Sequence, residues 1–318
     1  LALQSLRVMR SKRWLLMPLA VAAVAGLLVW GQTCAPSTST APAPAEPERP
    51  AQRVREPVVA GAFYPDDPDE LGSMVDGFLA KAEPTPVQNL RALVCPHAGF
   101  VYSGPTAAYC YKLLQGLTVD HVAILAPSHR AAFTGVSIPE VDAYRTPLGL
   151  VPLSEQVKHF ANVEPFTHHS QAHAQEHSLE VQLPFLQRVL PGVKIIPMVF
   201  GETNVAEVAR RLGEHLGPKS IVVASSDLSH YHPYEVAQKL DRSAIDAILD
   251  LDVERFRHEE ACGKWPILTL MLLAKQKGWQ ATLLDYRNSG DTAGSKAQVV
   301  GYAAIAFHRP APGQARGG

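Results

Sequence analysis

The feature that most constrains this chain is the placement of its reactive side chains at abrupt turns after apolar, strand-like runs. His97 follows ALVCP, His129 follows VAILAPS, Asp227 and His230 follow SIVVASS, and Cys262 stands in ACGKWP. Strand ends converge in space however long the intervening sequence. The pattern therefore predicts one buried site, metal-binding or nucleophilic, assembled from distant segments.

At 318 residues with 47% of them apolar, the chain can bury a substantial core, and one catalytic-sized domain is the reading its size supports. Its 29 Lys and Arg are balanced by 30 Asp and Glu, with no long basic tract in the folded portion, so no nucleic-acid partner is expected. Thirteen histidines supply many candidate ligands, but a count does not separate a metal site from ordinary hydrogen bonding.

The N-terminal segment differs from the rest. Arg7, Arg10, Lys12 and Arg13 precede WLLMPLAVAAVAGLLVWG, residues 14–31, which is long and apolar enough to be read as a membrane anchor or uncleaved signal. The basic flank, residues 1–13, would stay cytoplasmic. The main domain is then expected outside the cytoplasm, at a bacterial inner membrane and in the periplasm, with the membrane itself as a partner through the N-terminal helix. Residues 32–53, rich in Pro, Ala, Ser and Thr, read as a linker, residues 54–309 as the folded domain and residues 310–318 as a flexible tail. Cys34, Cys95, Cys110 and Cys262 form no CxxC pair and suggest no disulfide framework. Export would expose thiols to oxidation, so a thiolate role for Cys262 would depend on metal protection, local geometry or both.

Within the folded portion, residues 90–95, 119–126, 193–200, 220–224 and 281–286 read as buried strands, and residues 298–307 as a late strand with Gly301 at a bulge or close-packing position. Residues 106–114, 179–190, 204–216, 234–249 and 266–277 carry apolar residues at helical spacing. Residues 58–65 suggest an opening strand and turn, with Phe63 and Tyr64 covering either the core or a pocket. The alternation predicts an α/β domain. There is no repeat period, GxGxxG or P-loop, which removes support for a solenoid and for nucleotide chemistry.

Each candidate has a plainer alternative. His97, between Pro96 and Gly99, either projects over a sheet end or satisfies its own turn. His129 is a ligand, or a surface histidine beside a capping Ser128. Asp227 can orient an imidazole, accept a proton, bind a cation or form an Asx turn, and orientation is the favoured role; His230 is the acid/base candidate. Cys262 alone would be a small buried hydrophobe, but with two histidines it completes a mixed nitrogen and sulfur set. Trp265 packs against substrate or the core. In HAQEH, His173 and His177 would share a helix face if the segment is helical, but Glu176 does not occupy the HExxH position; His177 is favoured as pocket lining and His173 as an exposed residue. His168 and His169 read as parts of a polar loop.

In this order, VREPVVAGAFYP, CPHAGFVYSG, LAPSHR, HAQEHSLEVQLPFL, ASSDLSHY and ACGKWPI resemble the MEMO-like protein family, including the AmmeMemoRadiSam system protein B group, over residues 54–307. The resemblance implies a compact central-sheet domain flanked by helices, related to class III LigB-type extradiol dioxygenases. It implies His97, His129 and Cys262 as metal ligands, with Asp227 and His230 nearby and His177 in the pocket; those last three are taken as the catalytic candidates. Glu176, Tyr64, Tyr102 and Trp265 would lie in or behind the pocket. A cysteine where a dioxygenase would use a carboxylate adds a soft, redox-sensitive donor, so catechol cleavage does not transfer with the fold. The expected cofactor is one iron or copper ion in preference to zinc. The expected function is a metal-binding, redox-active enzyme, a nonheme iron- or copper-dependent oxidoreductase acting on an unidentified small molecule. The alternative is a membrane-tethered, metal-responsive interaction or accessory protein without turnover, working on a protein partner.

Overall fold

The structure, a computed structural model, describes residues 52–161 and 163–310. Its centre is a mixed sheet. Four parallel strands, Leu90–Cys95, Ser220–Ser225, His121–Pro127 and Ile195–Phe200, lie side by side in that order. Val299–His308 pairs antiparallel with Leu90–Cys95 and carries both Gln280–Asn288 and the short His230–His232 strand on its other edge. Val136–Ser137 and Phe166–Thr167 close the opposite side.

Strand side chains alternate between two apolar layers, as the two-residue period of a strand requires. Leu93, Ile124, Ile195 and Val223 pack on one face with the helices Pro68–Lys81, Phe100–Lys112 and Leu183–Val189. Val94, Leu125, Ile196 and Val222 pack on the other with Val205–His215, Tyr234–Leu249 and Lys264–Lys277. The strands are buried on both faces, which explains their near-continuous apolar runs.

The helix Pro68–Lys81 was not expected. Asp67 caps it, accepting from the amides of Asp69 and Glu70, and Pro68 occupies its first turn. The expected strand in residues 58–65 is instead a turn closed by a single Ala60 to Tyr64 bridge. The helix expected at residue 106 begins at Phe100, directly after Gly99, with Pro105 inside it.

The expectations of a membrane partner and an extracytoplasmic location are corrected. Among the described residues no helix is long and apolar enough to cross a membrane. The longest, Tyr234–Leu249, has 16 residues and an acidic and basic face, whereas a crossing takes roughly 20 apolar residues. The segment 14–31 that prompted those expectations lies outside the described residues.

A buried polar network ties the start of the domain to the sheet. Val54–Arg55 pairs with Ala143–Thr146 in a separate three-stranded sheet. The Arg55 guanidinium pairs with Glu180 and donates to the carbonyls of Glu176 (2.6 Å) and His173 (3.1 Å). Glu180 also accepts from the amides of Val58 and Val59 and from the Tyr64 hydroxyl. His173, expected to be exposed, is buried: its Nε2–H donates to the Ser137 carbonyl (3.1 Å), so its Nδ1 accepts from the Tyr144 hydroxyl (2.9 Å).

Burial, with the Arg55 charge adding to it, lowers the His173 pKa to about 4 against the lift from Ser137. Below pH 6.5 the unfolded chain binds a proton that the folded chain refuses, so stability is full above 6.5 and falls as pH drops from 6.5 towards 4. At about 1.4 kcal/mol per pKa unit, this residue accounts for up to about 3 kcal/mol of that loss. Chemical denaturation across this window is expected to show a shallower acid slope for His173→Gln than for the wild type. An unchanged slope would remove His173 from the acid response.

Gly301 is the second test of the fold. A Cβ there would stand 2.0 Å from Asp241 Oδ2, a buried carboxylate that accepts from the Ser229 amide and the Tyr286 hydroxyl. Gly301→Ala is expected to destabilise the protein by about 1–3 kcal/mol in denaturant titration, and a change below about 0.5 kcal/mol would contradict the close packing.

Candidate metal centre

The candidate residues are delivered by a repeated local rule. His97, His129 and Asp227 each lie two positions beyond the last residue of a parallel strand, at Cys95, Pro127 and Ser225. Neighbouring parallel strands end level, with Cys95 opposite Ser225, so the side chains just past them meet over the carboxyl edge of the sheet. Cys262 arrives from the other side. A Cβ on Gly263 would fall 2.4 Å from the Ser225 carbonyl oxygen, so only glycine lets this turn press Cys262 against the strand end.

Hydrogen bonds determine which ring nitrogen of each histidine faces inward. The Ser225 hydroxyl donates to the Ser178 carbonyl (2.7 Å) and accepts from Gln182 Nε2 (2.8 Å). Its hydrogen is thereby used, so at 2.7 Å it accepts from His97 Nδ1–H, and the His97 Nε2 lone pair points to the centre. Glu176 is ionised: burial raises its pKa, but hydrogen bonds and charge from His129 outweigh that and hold it at about 2. His129 Nδ1 at 2.9 Å must therefore be the donor, so that the neutral ring, the form a metal ion would take, presents its lone pair at Nε2. His230 Nδ1 donates to the Leu228 carbonyl (2.8 Å) with the same result.

Cys262 Sγ lies 3.2 Å from His97 Nε2 and accepts the Asp227 amide at 3.2 Å. Burial, followed by the Asp227 charge, pushes its thiol pKa well up, so without a cation the sulfur keeps its proton. Burial likewise raises Asp227 to about 6, against the stabilising amide of His97 that donates to Oδ1 (2.8 Å). Ligand atoms of His97, His129 and Cys262 lie within 4.8 Å of one another, as do those of Asp227, His230 and Cys262, and those of His129, Glu176 and His177. His177 packs 4.6 Å from His129 by ring centroid, and burial lowers its pKa to about 4.

Beside this cluster opens a cleft of about 810 Å³, bounded by His129, Arg130, Phe133, Glu202, Cys262 and Trp265 among others. Its size suits a small organic ligand. Trp265 lines it and also packs against the core. Tyr64 does not reach the cleft; it is buried against Glu180. Tyr102 stands 39% exposed on the Phe100–Lys112 helix and is not among the cleft's lining residues. His173 and His177 do not share a helix, because Ser170–Ala174 ends between them. His168 bonds the Ile138 carbonyl, and His169 stacks on Phe133. Cys95, Cys110 and Cys262 are free thiols.

Sequence reasoning missed Ser225, Gln182 and Ser178. Ser225 stood in the polar run after its strand, but nothing marked its hydroxyl as the group that orients His97. Gln182 lies in a segment, residues 179–190, that was read only for its apolar spacing; its amide bridges Ser225 and the Pro96 carbonyl (3.0 Å), held from behind by Tyr111.

Comparison with known proteins agrees with the ordered motifs. The family described as Memo-like protein matches residues 55–306. A MEMO1 family protein of Aquifex aeolicus is 39% identical over 268 residues, covering 80% of this chain and 99% of its own. One from Desulfurococcus amylolyticus is 37% identical, with 80% and 99% covered, and one from Methanopyrus kandleri is 38% identical with the same coverage. This chain belongs to the Memo-like protein family.

Proposed function

We infer that this protein holds one redox-capable metal ion, iron or copper, through His97 Nε2, His129 Nε2 and Cys262 Sγ, and acts on a small organic molecule in the adjoining cleft. The observation that carries this reading is the fixed set of tautomers: separate hydrogen bonds leave inward lone pairs on His97 and His129 beside a sulfur. Two imidazoles and a thiolate suit iron, copper or zinc by donor type, and the soft sulfur favours redox use. A bound ion would supply a Lewis-acidic, redox-active centre and displace the thiol proton that burial otherwise retains.

The residues around the centre divide the remaining work. Ser225 and Glu176 hold the two imidazoles in orientation. Asp227 holds the His97 backbone through Oδ1 and keeps Oδ2 towards the site, while His230, with Nε2 bare, can take a proton from a ligand. The parallel sheet with its cleft at the carboxyl edge supports the relationship to class III LigB-type enzymes. Cys262 separates the chemistry from theirs, so ring cleavage is not part of the proposal. A metal-responsive accessory role without turnover is the competing reading, and the open cleft against Cys262 favours a small-molecule ligand.

Metal loading under oxygen-free conditions tests the assignment. The wild type is expected to take up one ion with a sulfur ligand visible by metal-edge spectroscopy. His97→Ala, His129→Ala and Cys262→Ser should each lose it, and equal retention in all three would overturn the assignment. Ser225→Ala is expected to weaken metal affinity by roughly 10- to 100-fold while preserving the fold. Asp227→Asn and His230→Gln should keep the ion at saturating metal and, where oxygen consumption with candidate metabolites gives turnover, change its pH profile. Loss of all metal from both would make them ligands.

A further inference from the structure

We propose that the cleft selects a small carboxylate with an apolar body, its anionic end held by Arg130 and its body lying against Phe133 and Trp265. The proposal deepens the reading above by naming the ligand class, and it rests on that reading only for the role of the neighbouring metal.

The first observation is that Arg130 is a cation without a partner. It directly follows His129, is exposed on the cleft wall, and makes no hydrogen bond or ion pair with any described residue. Other arginines lacking such freedom are engaged: Arg55 with Glu180, Arg145 with Glu56 and Arg188 with Asp76. Glu202 lines the same cleft, yet no ion pair joins it to Arg130; it sits at the Thr134 end, where its backbone bridges that residue.

The second observation is where Arg130 stands. It lines the cleft together with His129 and Cys262, two of the three residues read as metal ligands, so the guanidinium and the cluster open onto one space.

The third is that the cluster offers no competing charged donor. The inward nitrogens of His97, His129 and His230 carry lone pairs, and the Glu176 carboxylate is occupied by the amides of His129, His177 and Ser178 as well as the His129 ring. An anion entering the cleft meets Arg130 as its charged hydrogen-bond donor, in a planar fork matched to a carboxylate. Beyond Arg130, the half-buried rings of Phe133 and Trp265 provide apolar contact.

Phenylacetate and its neutral isostere phenylacetamide form the test. Each is titrated calorimetrically into the full chain, metal-loaded and metal-free, alongside Arg130→Gln and Phe133→Ala, with metal content measured on the same samples. The wild type is expected to bind the acid at least about 10-fold more tightly than the amide, the scale of a charge-assisted hydrogen bond. Arg130→Gln should reduce that preference to less than about 3-fold with metal content unchanged, whereas Phe133→Ala should weaken both probes and keep the preference. Equal binding of acid and amide by the wild type, a preference that survives Arg130→Gln, or no binding of either probe at millimolar concentration would overturn the proposal. An Arg130-dependent preference in a chain that takes up no metal would uphold the carboxylate site and refute the metal reading separately.

Discussion

Everything at the carboxyl edge depends on the register of four parallel strands. Cys95 lies opposite Ser225, Leu125 opposite Ala224, and Pro127 opposite Phe200, so the chain leaves the sheet at nearly the same height on each strand. His97, His129 and Asp227 can meet only because of that levelness. A slip of one residue would turn the apolar layers inside out, so the hydrophobic alternation that stabilises the sheet also locates the chemistry.

Beneath the cluster, each histidine is oriented by a different support. Ser225, Gln182 and Tyr111 form a chain running into the core behind His97. Glu176 braces His129, and the backbone carbonyl of Glu176 is itself held by Arg55, which Glu180 neutralises. The N-terminal strand of the described domain thus takes part in positioning a side chain far from it in sequence. Burying an ion pair such as Arg55 and Glu180 has a large desolvation cost, offset here by amide and hydroxyl donors to the carboxylate.

The α/β class and most central strands were legible because strands buried on both faces read as apolar runs ending at turns. The clustering of His97, His129 and Asp227 was legible for the same reason, whereas Cys262 follows the helix Val253–Phe256 and a polar turn, not a strand. The helix Pro68–Lys81 was missed although Asp67-Pro68 is a readable cap, since its polar first turn obscured the spaced apolar residues Leu71, Val75 and Leu79. His173 was misplaced because its burial depends on Arg55, whose bonds to the His173 carbonyl and to Glu180 join segments more than a hundred residues apart. Ring orientation was not legible at all: a histidine's tautomer follows from the neighbour at its outer nitrogen, and sequence does not identify that neighbour.

The inward-facing nitrogens have a consequence for selectivity of another kind. A cavity floor made of lone pairs has negative potential but no N–H to offer, so a ligand carbonyl or developing oxyanion finds no electrophile among His97, His129 and His230 themselves. Polarisation of such a group must come from a cation, whether held in the cluster or carried by a side chain at its rim. The three imidazoles therefore form an acceptor surface, and proton or charge donation falls to other groups, the Cys262 thiol and the Arg130 guanidinium among them.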